Sequence, residues 1–417
     1  MRRTASPISY PNWTYGIQNI ISTNRSVRYT HSMENKKYRI FILGAGFSRA
    51  AGLPLASELW PQIHERATSK YGTDSKFHQD LKDYLQYKRE CEGEDVSVGK
   101  VDFEDFMRVL DIEHFLGLRG SDTWSVDGNE GTVIVKTLIG EILAEATPIP
   151  SKIPDLYLDF ARQLQPDDYV LTFNYDTLLE DALDVVKKPY RLFPSRYTSV
   201  TPGMGFVDNS KAEVILLKMH GSINWFDRKQ YGEMEANHRS HGLPTGPSHP
   251  IFCSRNPITI SKILDGPRHA DDPLGEMYRA HDIKQLYRKD LFSSPPWILT
   301  PSSVKILYAD KLKDFWNGLG QAGALNFGLS IIGYSLPKHD EYARQALYTL
   351  ATNYQRNYWE TPPFENGPKK TPLTIIDLCK DSDQTSQLKE RYRFVDWSRA
   401  TLCADGLNEN SLKIIFV

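Results

Sequence analysis

Two glycines with one residue between them, Gly44 and Gly46, follow an apolar run at 38–43 and precede Phe47 and Ser48. Glycine lets backbone amide groups approach an anion closely, and a helix that begins after such a turn adds partial positive charge. This pattern predicts the binding of a phosphate group by the glycine turn. The alternative is a tight turn between a strand and a helix that binds no ligand.

The residues after this turn argue against an ordinary dehydrogenase site. Arg49 stands where the GxGxxG pattern has its third glycine. The segment that follows has helical spacing, so no acidic residue is placed at the end of a second strand to hold a ribose. The sequence therefore disfavours a hydride-transferring enzyme of that type.

Polar residues also end three later apolar runs. Asn174 and Asp176 follow the first run, His220 follows the second, and Gly333 and Ser335 follow the third. Ligands of a parallel sheet bind outside the carboxyl ends of its strands, so we expect these residues to meet in one crevice. Each of them alone has an ordinary structural interpretation as a turn residue, a core histidine or, for Asp176, a helix cap.

The elements that must position these residues are alternating strands and helices. Buried strands are predicted at 38–43, 169–173, 213–219, 297–300, 326–332, 373–378 and 412–417. Helical spacing between several of them predicts an α/β fold: a Rossmann-like, mostly parallel sheet with helices on both faces.

The chain divides into three predicted parts. Residues 1–35 are polar without a sustained period and form an N-terminal arm, whereas apolar residues recur at helical spacing throughout 56–165. The latter segment is predicted to be a helical insertion in a sheet domain made of 36–55 and 166–417. Within that domain, the stretch at 227–288 is predicted to consist of irregular loops.

The composition excludes several classes of protein. The 417 residues are 40 % hydrophobic and 24 % charged, with a net charge of −2, which is typical of a soluble globular protein. A near-neutral chain has no global electrostatic footprint for a membrane surface or nucleic acid, so nucleic acid is expected to act only indirectly. Because the start lacks a secretory apolar run and no segment is long enough to span a bilayer, we expect a cytoplasmic protein.

Taken in order, the motifs resemble those of the sirtuin (silent information regulator two) superfamily. The family series GAGxS, GIP, TQNxD, HG and GTSL corresponds to GAGFS at 44–48, GLP at 52–54, TFNYD at 172–176, HG at 220–221 and GYSL at 333–336. The form of these motifs is most similar to that of bacterial sirtuin-like NADases of anti-phage defence, such as the sirtuin-like subunit of HerA-associated systems.

The resemblance implies a substrate and a set of site residues. It implies that the sheet domain binds NAD+ as its substrate, with Asn174 orienting the ribose and a water and His220 accepting a proton. Asp176 would hold the nicotinamide amide or orient Asn174. The residues implied to bind the rest of NAD+ are Gly44, Ala45, Gly46, Phe47, Ser48, Gly333, Ser335 and Asp377. Asp340 is a weaker candidate, either near a ribose or as a helix cap.

Departures from the deacylase pattern favour hydrolysis of NAD+ over deacylation. The four cysteines are dispersed, so the two cysteine pairs that hold zinc in deacylases are absent and no structural zinc is expected. Phe173 replaces the glutamine of TQNxD. Five further histidines lack fixed ligand spacing and are expected to be solvated loop residues: His238, His241, His249, His269 and His281.

The sequence thus predicts an NAD+ hydrolase that stays latent until anti-phage defence releases it. The alternatives are an NAD-dependent protein deacylase and a non-catalytic module that binds NAD+ or ADP-ribose and gates a partner. The resemblance implies a HerA-type ATPase or a short Argonaute as the partner. The N-terminal arm is expected to support a homo-oligomer.

Overall fold

The computed structural model describes residues 38–119, 128–242, 258–287, 295–362 and 367–416. The predicted arm at 1–35 lies outside these residues. In the part of the chain that is described, no helix is both long enough and apolar enough to cross a membrane.

A seven-stranded parallel sheet forms the centre of the fold, with strand order β12-β11-β10-β1-β2-β6-β3. All five residues of β1 are buried, as expected for a central parallel strand that is covered on both faces. The predicted α/β sheet is therefore confirmed. Its strands are β1 (Arg39–Leu43), β2 (Tyr169–Thr172), β3 (Tyr190–Arg191), β6 (Val214–Lys218), β10 (Gly328–Ile332), β11 (Leu373–Ile376) and β12 (Ala400–Cys403).

The register of this sheet aligns the strand ends that precede the sequence motifs. Leu43 of β1 pairs with Thr172 of β2 and with Ile332 of β10, and Thr172 pairs in turn with Lys218 of β6. The turns that follow these four strands therefore leave the sheet side by side at one edge.

Fourteen α-helices occur in the described residues. They are α1 (Ala45–Ser48), α2 (Ala56–Tyr71), α3 (Lys76–Tyr87), α4 (Phe103–Phe115), α5 (Glu130–Ala146), α6 (Asp155–Gln163), α7 (Leu178–Val185), α8 (Arg228–Ser240), α9 (Ile283–Tyr287), α10 (Lys313–Trp316), α11 (Leu319–Leu325), α12 (Glu341–Arg356), α13 (Ser382–Arg391) and α14 (Glu409–Ile415). Helix α6, inside the segment predicted as an insertion, packs on the sheet, because the ring of Phe160 lies 5.6 Å from that of Phe41 in β1.

Two smaller antiparallel sheets complete the strands. A hairpin is formed by β4 (Tyr197–Thr201) and β5 (Met204–Val207). A three-stranded sheet of order β7-β9-β8 contains β7 (Trp225–Asp227), β8 (Ile260–Lys262) and β9 (Met277–Ala280). The prediction of irregular loops at 227–288 was therefore wrong where this sheet and helices α8 and α9 lie. The strands are only three or four residues long, which is too short for a recognisable alternation of polar and apolar residues.

Two of the predicted strands differ from the structure. Residues 412–417 were predicted as a strand, but Asn408 caps a helix there by accepting hydrogen bonds from the amides of Asn410 and Ser411. The strand that pairs with β11 at this edge of the sheet is β12. Residues 297–300 contribute only a single bridge, between Ile298 and Gly221.

Candidate active site

The glycine turn after β1 packs tightly against the turn after β10. The amides of Gly44 and Gly46 donate to the carbonyl groups of Ile332 and Gly333 at 3.0 and 2.9 Å. A Cβ atom on Gly44 would lie 2.5 Å from the carbonyl oxygen of Gly333, which itself has a φ of +60°. Contact between the two turns therefore already requires glycine at these positions, and phosphate binding by Gly44, Ala45 and Gly46 stays a prediction.

The helix that follows the glycine turn is short, so it adds little helix dipole to a phosphate site. Helix α1 has four residues and passes into a short 3₁₀ turn that ends at Gly52, whose φ is +92°. The side chain of Phe47 is in the core, 5.2 Å from the ring of Tyr157, so only its backbone could meet a ligand. Ser48 is also buried, and its hydroxyl oxygen accepts a hydrogen bond from Asn174 on the turn after β2.

Asn174 is held by the glycine turn. Its side-chain NH2 group donates to the carbonyl oxygen of Gly44 at 2.9 Å and to the hydroxyl oxygen of Ser48 at 3.2 Å. A carbonyl oxygen can only accept, so this contact defines which end of the amide is which. Both amide hydrogens are therefore used, and Oδ1 is the group of Asn174 left to accept a hydrogen bond from a ligand.

Asp176 follows Asn174 by two residues on the same turn. Its Oδ1 accepts a hydrogen bond from the backbone amide of Leu178 at 3.0 Å. The side chain thus caps the start of α7, as one interpretation of the sequence held. Burial raises the pKa of Asp176, and the nearby charge of Lys218 opposes this rise.

His220 is buried beside this network, with 4 % of its surface exposed. Its Nε2 lies 2.7 Å from the hydroxyl oxygen of Tyr342, and the edge of its ring meets Phe173 with the centroids 5.0 Å apart. Burial, assisted by the charge of Lys305, lowers the pKa of His220 from 6.5 to about 3, and Asp340 opposes the shift. The imidazole is therefore neutral at physiological pH.

Four residues near His220 had little or no functional signal in the sequence. Lys305 and Asp340 form a buried ion pair, and the second carboxylate oxygen of Asp340 accepts from the hydroxyl of Tyr334 at 2.9 Å. The ring of Tyr334 stacks on Phe173 with the centroids 4.4 Å apart. Asp340 occupies the N-cap position of α12 but makes no side-chain cap there. Tyr342 could not be found from the sequence because it follows the last motif on an ordinary helical pattern.

The other predicted ligand residues are not drawn into this network. Ser335 is exposed on the turn after β10. Asp377 follows β11, two strands from β1, and its Oδ1 accepts from the amide of Leu378 at 2.9 Å. Burial raises the pKa of Asp377. Their roles in NAD+ binding stay predictions.

Those histidines considered for metal binding whose side chains the structure describes make contacts outside this network. His241 contacts Ser240, and Nε2 of His281 lies 2.9 Å from the hydroxyl oxygen of Ser261. His249 and the side chain of His238 lie outside what the structure describes. Within the described residues there is no group of three or more His, Cys, Asp or Glu side chains that could hold a metal ion.

Comparisons with known proteins relate this part of the chain to sirtuins. Three sirtuin structures align over most of the chain. Sir2Tm bound to a propionylated peptide is 12 % identical in sequence, covers 92 % of this chain and 94 % of its own, and has a TM-score of 0.33. A structure on the basis of sirtuin substrate affinity (12 % identity, 93 % of this chain, 97 % of its own, TM-score 0.30) and one of Sir2 with a p53 peptide and NAD+ (11 % identity, 93 % of this chain, 95 % of its own, TM-score 0.30) align similarly. No curated protein sequence matches the chain. The family model of the SIR2-like domain matches residues 168–240, which contain Asn174, Asp176 and His220.

Proposed function

We propose that this site binds NAD+ and hydrolyses the bond between nicotinamide and ribose, releasing nicotinamide, ADP-ribose and a proton. The observation that carries the proposal is the pair of hydrogen bonds that hold Asn174 to Gly44 and Ser48, beside the buried, neutral His220, at the carboxyl ends of adjacent parallel strands. The match of residues 168–240 to the SIR2-like domain supports NAD+ as the substrate class.

Asn174 would orient the attacking water or a ribose hydroxyl group. Because its two amide hydrogens are held by Gly44 and Ser48, the side chain cannot turn without losing both bonds. Its Oδ1 then accepts a hydrogen bond in a fixed direction, as is needed when an oxocarbenium-like centre must meet a water on one face.

His220 would accept the proton that leaves the reacting hydroxyl or water. A neutral imidazole has one nitrogen with a free lone pair, and burial keeps His220 in that state. A pKa near 3 makes this histidine a weak base in the ligand-free protein, so it can take the proton only as the positive charge that develops on the ribose makes the reacting hydroxyl or water more acidic. The reaction consumes one water, and the proton finally passes to solvent.

The test is to incubate the purified chain with NAD+, alone and together with its activating partners, and to follow nicotinamide and ADP-ribose by chromatography. We expect both products in equal amounts, and at least a hundredfold loss of rate in Asn174→Ala and in His220→Ala. His241→Asn, at the exposed end of α8, is the control and should keep the full rate. Wild-type rates in both site variants would overturn the proposal.

The same experiment separates the alternatives. A protein deacylase would consume NAD+ in proportion to an added acyl-lysine peptide, so product formed without peptide contradicts that function. A module that only binds NAD+ or ADP-ribose would give tight binding with no turnover, with or without its partners.

The proposal includes control of the activity, since an unrestrained NAD+ hydrolase would exhaust the NAD+ of its own cell. We therefore extend it to a latent enzyme of anti-phage defence that is released by a HerA-type ATPase or a short Argonaute. If the arm at 1–35 mediates homo-oligomerisation, its removal should lower the mass measured in solution. An unchanged mass would reject that role.

A further inference from the structure

Tyr175, on the turn after β2, contacts the turn after β6 through its backbone and through its side chain. Its backbone carbonyl oxygen accepts hydrogen bonds from the amide of Ile223 at 3.0 Å and from the hydroxyl group of Ser222 at 3.2 Å. Both donors follow His220 closely in the sequence. The main chain of the first turn is therefore bonded to the segment just beyond His220.

The side chain of Tyr175 reaches the same turn from another direction, through Leu299. Its hydroxyl group donates to the carbonyl oxygen of Leu299 at 2.5 Å, and the amide of Leu299 donates to the carbonyl oxygen of His220 at 2.9 Å. The ring centroids of Tyr175 and His220 lie 6.3 Å apart. Two consecutive hydrogen bonds thus connect the tyrosine hydroxyl to the backbone of His220.

The segment that contains Leu299 is anchored on both sides. Before it, the amide of Trp297 donates to the carbonyl oxygen of Trp225 at 2.7 Å. After it, the hydroxyl group of Thr300 donates at 3.2 Å to Oδ2 of Asp111, a buried residue of α4. With both ends held, the orientation of the Leu299 backbone depends on the two hydrogen bonds that it makes in the middle of the segment.

We propose that Tyr175 is a positioning residue of this site, which fixes the backbone of His220 relative to Asn174. The inference rests on the proposed NAD+ hydrolysis, because that reaction needs both side chains at set places around the ribose. Since Tyr175 directly follows Asn174, its contacts with the turn after β6 set the distance between the two candidate catalytic side chains. The motif TQNxD leaves the type of this residue open, so the sequence alone could not assign the role.

The test is Tyr175→Phe, which removes the hydroxyl group and keeps the ring. The carbonyl oxygen of Leu299 loses this donor, and the backbone of His220 is held less firmly. In hydrolysis of NAD+ we expect kcat to fall about tenfold or more, because a small misplacement of a catalytic group is costly, while KM stays within about twofold of the wild type. An unchanged kcat would overturn the inference. A raised KM at unchanged kcat would overturn it too, since the hydroxyl would then contact the ligand.

Tyr354→Phe is the matched control. The hydroxyl group of Tyr354 is also buried and donates to the backbone carbonyl groups of Phe327 and Thr371, which precede β10 and β11 and so lie at the opposite edge of the sheet. Both variants lose the same kind of hydrogen bond and should lose similar stability in urea unfolding. Only Tyr175→Phe should lose kcat. An equal fall of kcat in the two variants would mean a general loss of packing and would overturn the inference.

A second variant serves if Tyr175→Phe does not fold. Ser222→Ala removes only the hydroxyl group that donates to the carbonyl oxygen of Tyr175. The amide of Ile223 still donates to the same oxygen, so the fall in kcat should be smaller than in Tyr175→Phe, again at unchanged KM. A wild-type kcat in Ser222→Ala would then overturn the inference.

Hydrogen exchange in the ligand-free protein separates this inference from the proposed function. Because the amide of Leu299 donates to His220, its exchange rate reports on that bond directly. We expect exchange of this amide to be about tenfold faster in Tyr175→Phe and unchanged in Tyr354→Phe. If this occurs but NAD+ is never cleaved, the proposed function fails and the positioning of His220 by Tyr175 stands. If NAD+ is cleaved and the exchange rates coincide, the inference fails alone.

Discussion

The hydroxyl oxygen of Tyr342 lies 2.7 Å from Nε2 of His220. A buried tyrosine hydroxyl needs an acceptor for its proton, and the lone pair of a neutral imidazole supplies one. Burial raises the pKa of Tyr342, which keeps the hydroxyl protonated. In the ligand-free protein, the nitrogen that would accept a proton from the substrate is therefore engaged by Tyr342.

Tyr342→Phe should accordingly increase the affinity for NAD+, because the ligand no longer competes with the tyrosine hydroxyl for Nε2. One hydrogen bond contributes about 0.5–1.5 kcal/mol, so we expect a gain of up to about tenfold. Calorimetry with a non-hydrolysable NAD+ analogue measures it. Tyr354→Phe, which removes another buried hydroxyl from the carbonyl groups of Phe327 and Thr371, should bind like the wild type. Weaker binding by Tyr342→Phe would show that the hydroxyl contacts the ligand instead.

The lowered pKa of His220 predicts a loss of stability in acid. The unfolded chain protonates this histidine near its ordinary pKa of 6.5, whereas the folded protein does so only near 3. The unfolded state therefore binds more protons between these values, so the free energy of unfolding falls as the pH is lowered through this window. At pH 5.5 the effect on the free energy of unfolding is about 1 kcal/mol.

His220→Gln should remove that part of the acid sensitivity. Urea unfolding at pH 7.5 and 5.5 gives the loss of stability for each protein, and the loss should be smaller by about 1 kcal/mol in the variant. His241→Gln, an exposed histidine, should behave like the wild type. An equal loss in His220→Gln and the wild type would mean that His220 titrates normally in the folded protein.

The contact between the turns after β1 and β10 predicts that Gly44→Ala destabilises the protein. The new methyl group would lie 2.5 Å from both the carbonyl oxygen of Gly333 and Cα of Tyr334, and backbone atoms cannot move aside as a flexible side chain can. Overpacking of this kind costs about 1–3 kcal/mol. Gly99→Ala is the control, since a Cβ atom there meets nothing within 4 Å. Urea unfolding of both variants measures the difference, and equal stability would contradict the close packing of the turns.

The sequence predicted most of the sheet because its central strands are buried on both faces and therefore read as continuous apolar runs. It also brought Asn174, Asp176 and Ser48 into consideration, since polar residues at the ends of such runs are visible without a structure. It could not predict the contacts of Tyr342 or Lys305, because a tyrosine on a helix and a lysine at the start of a short 3₁₀ turn have no distinctive spacing. The C-terminal strand was wrong because the cap at Asn408 outweighs the apolar run that follows.

The ion pair of Lys305 and Asp340 joins the loop that follows Trp297 to the start of α12, and it should be costly to break. Both side chains are buried, so Lys305→Met leaves the Asp340 carboxylate with the Tyr334 hydroxyl as its remaining hydrogen-bond donor among the described contacts. Loss of one partner from a buried pair costs about 3–5 kcal/mol.

Arg162→Met breaks the exposed pair of Arg162 and Asp159 and should cost no more than about 1 kcal/mol. In the double variant Lys305→Met/Asp340→Asn the buried carboxylate is gone, so its stability should exceed that of Lys305→Met alone. Urea unfolding of the four proteins measures both differences. If Lys305→Met lowers the free energy of unfolding no more than Arg162→Met does, water reaches Asp340 and the ion pair does not hold α12 beside His220.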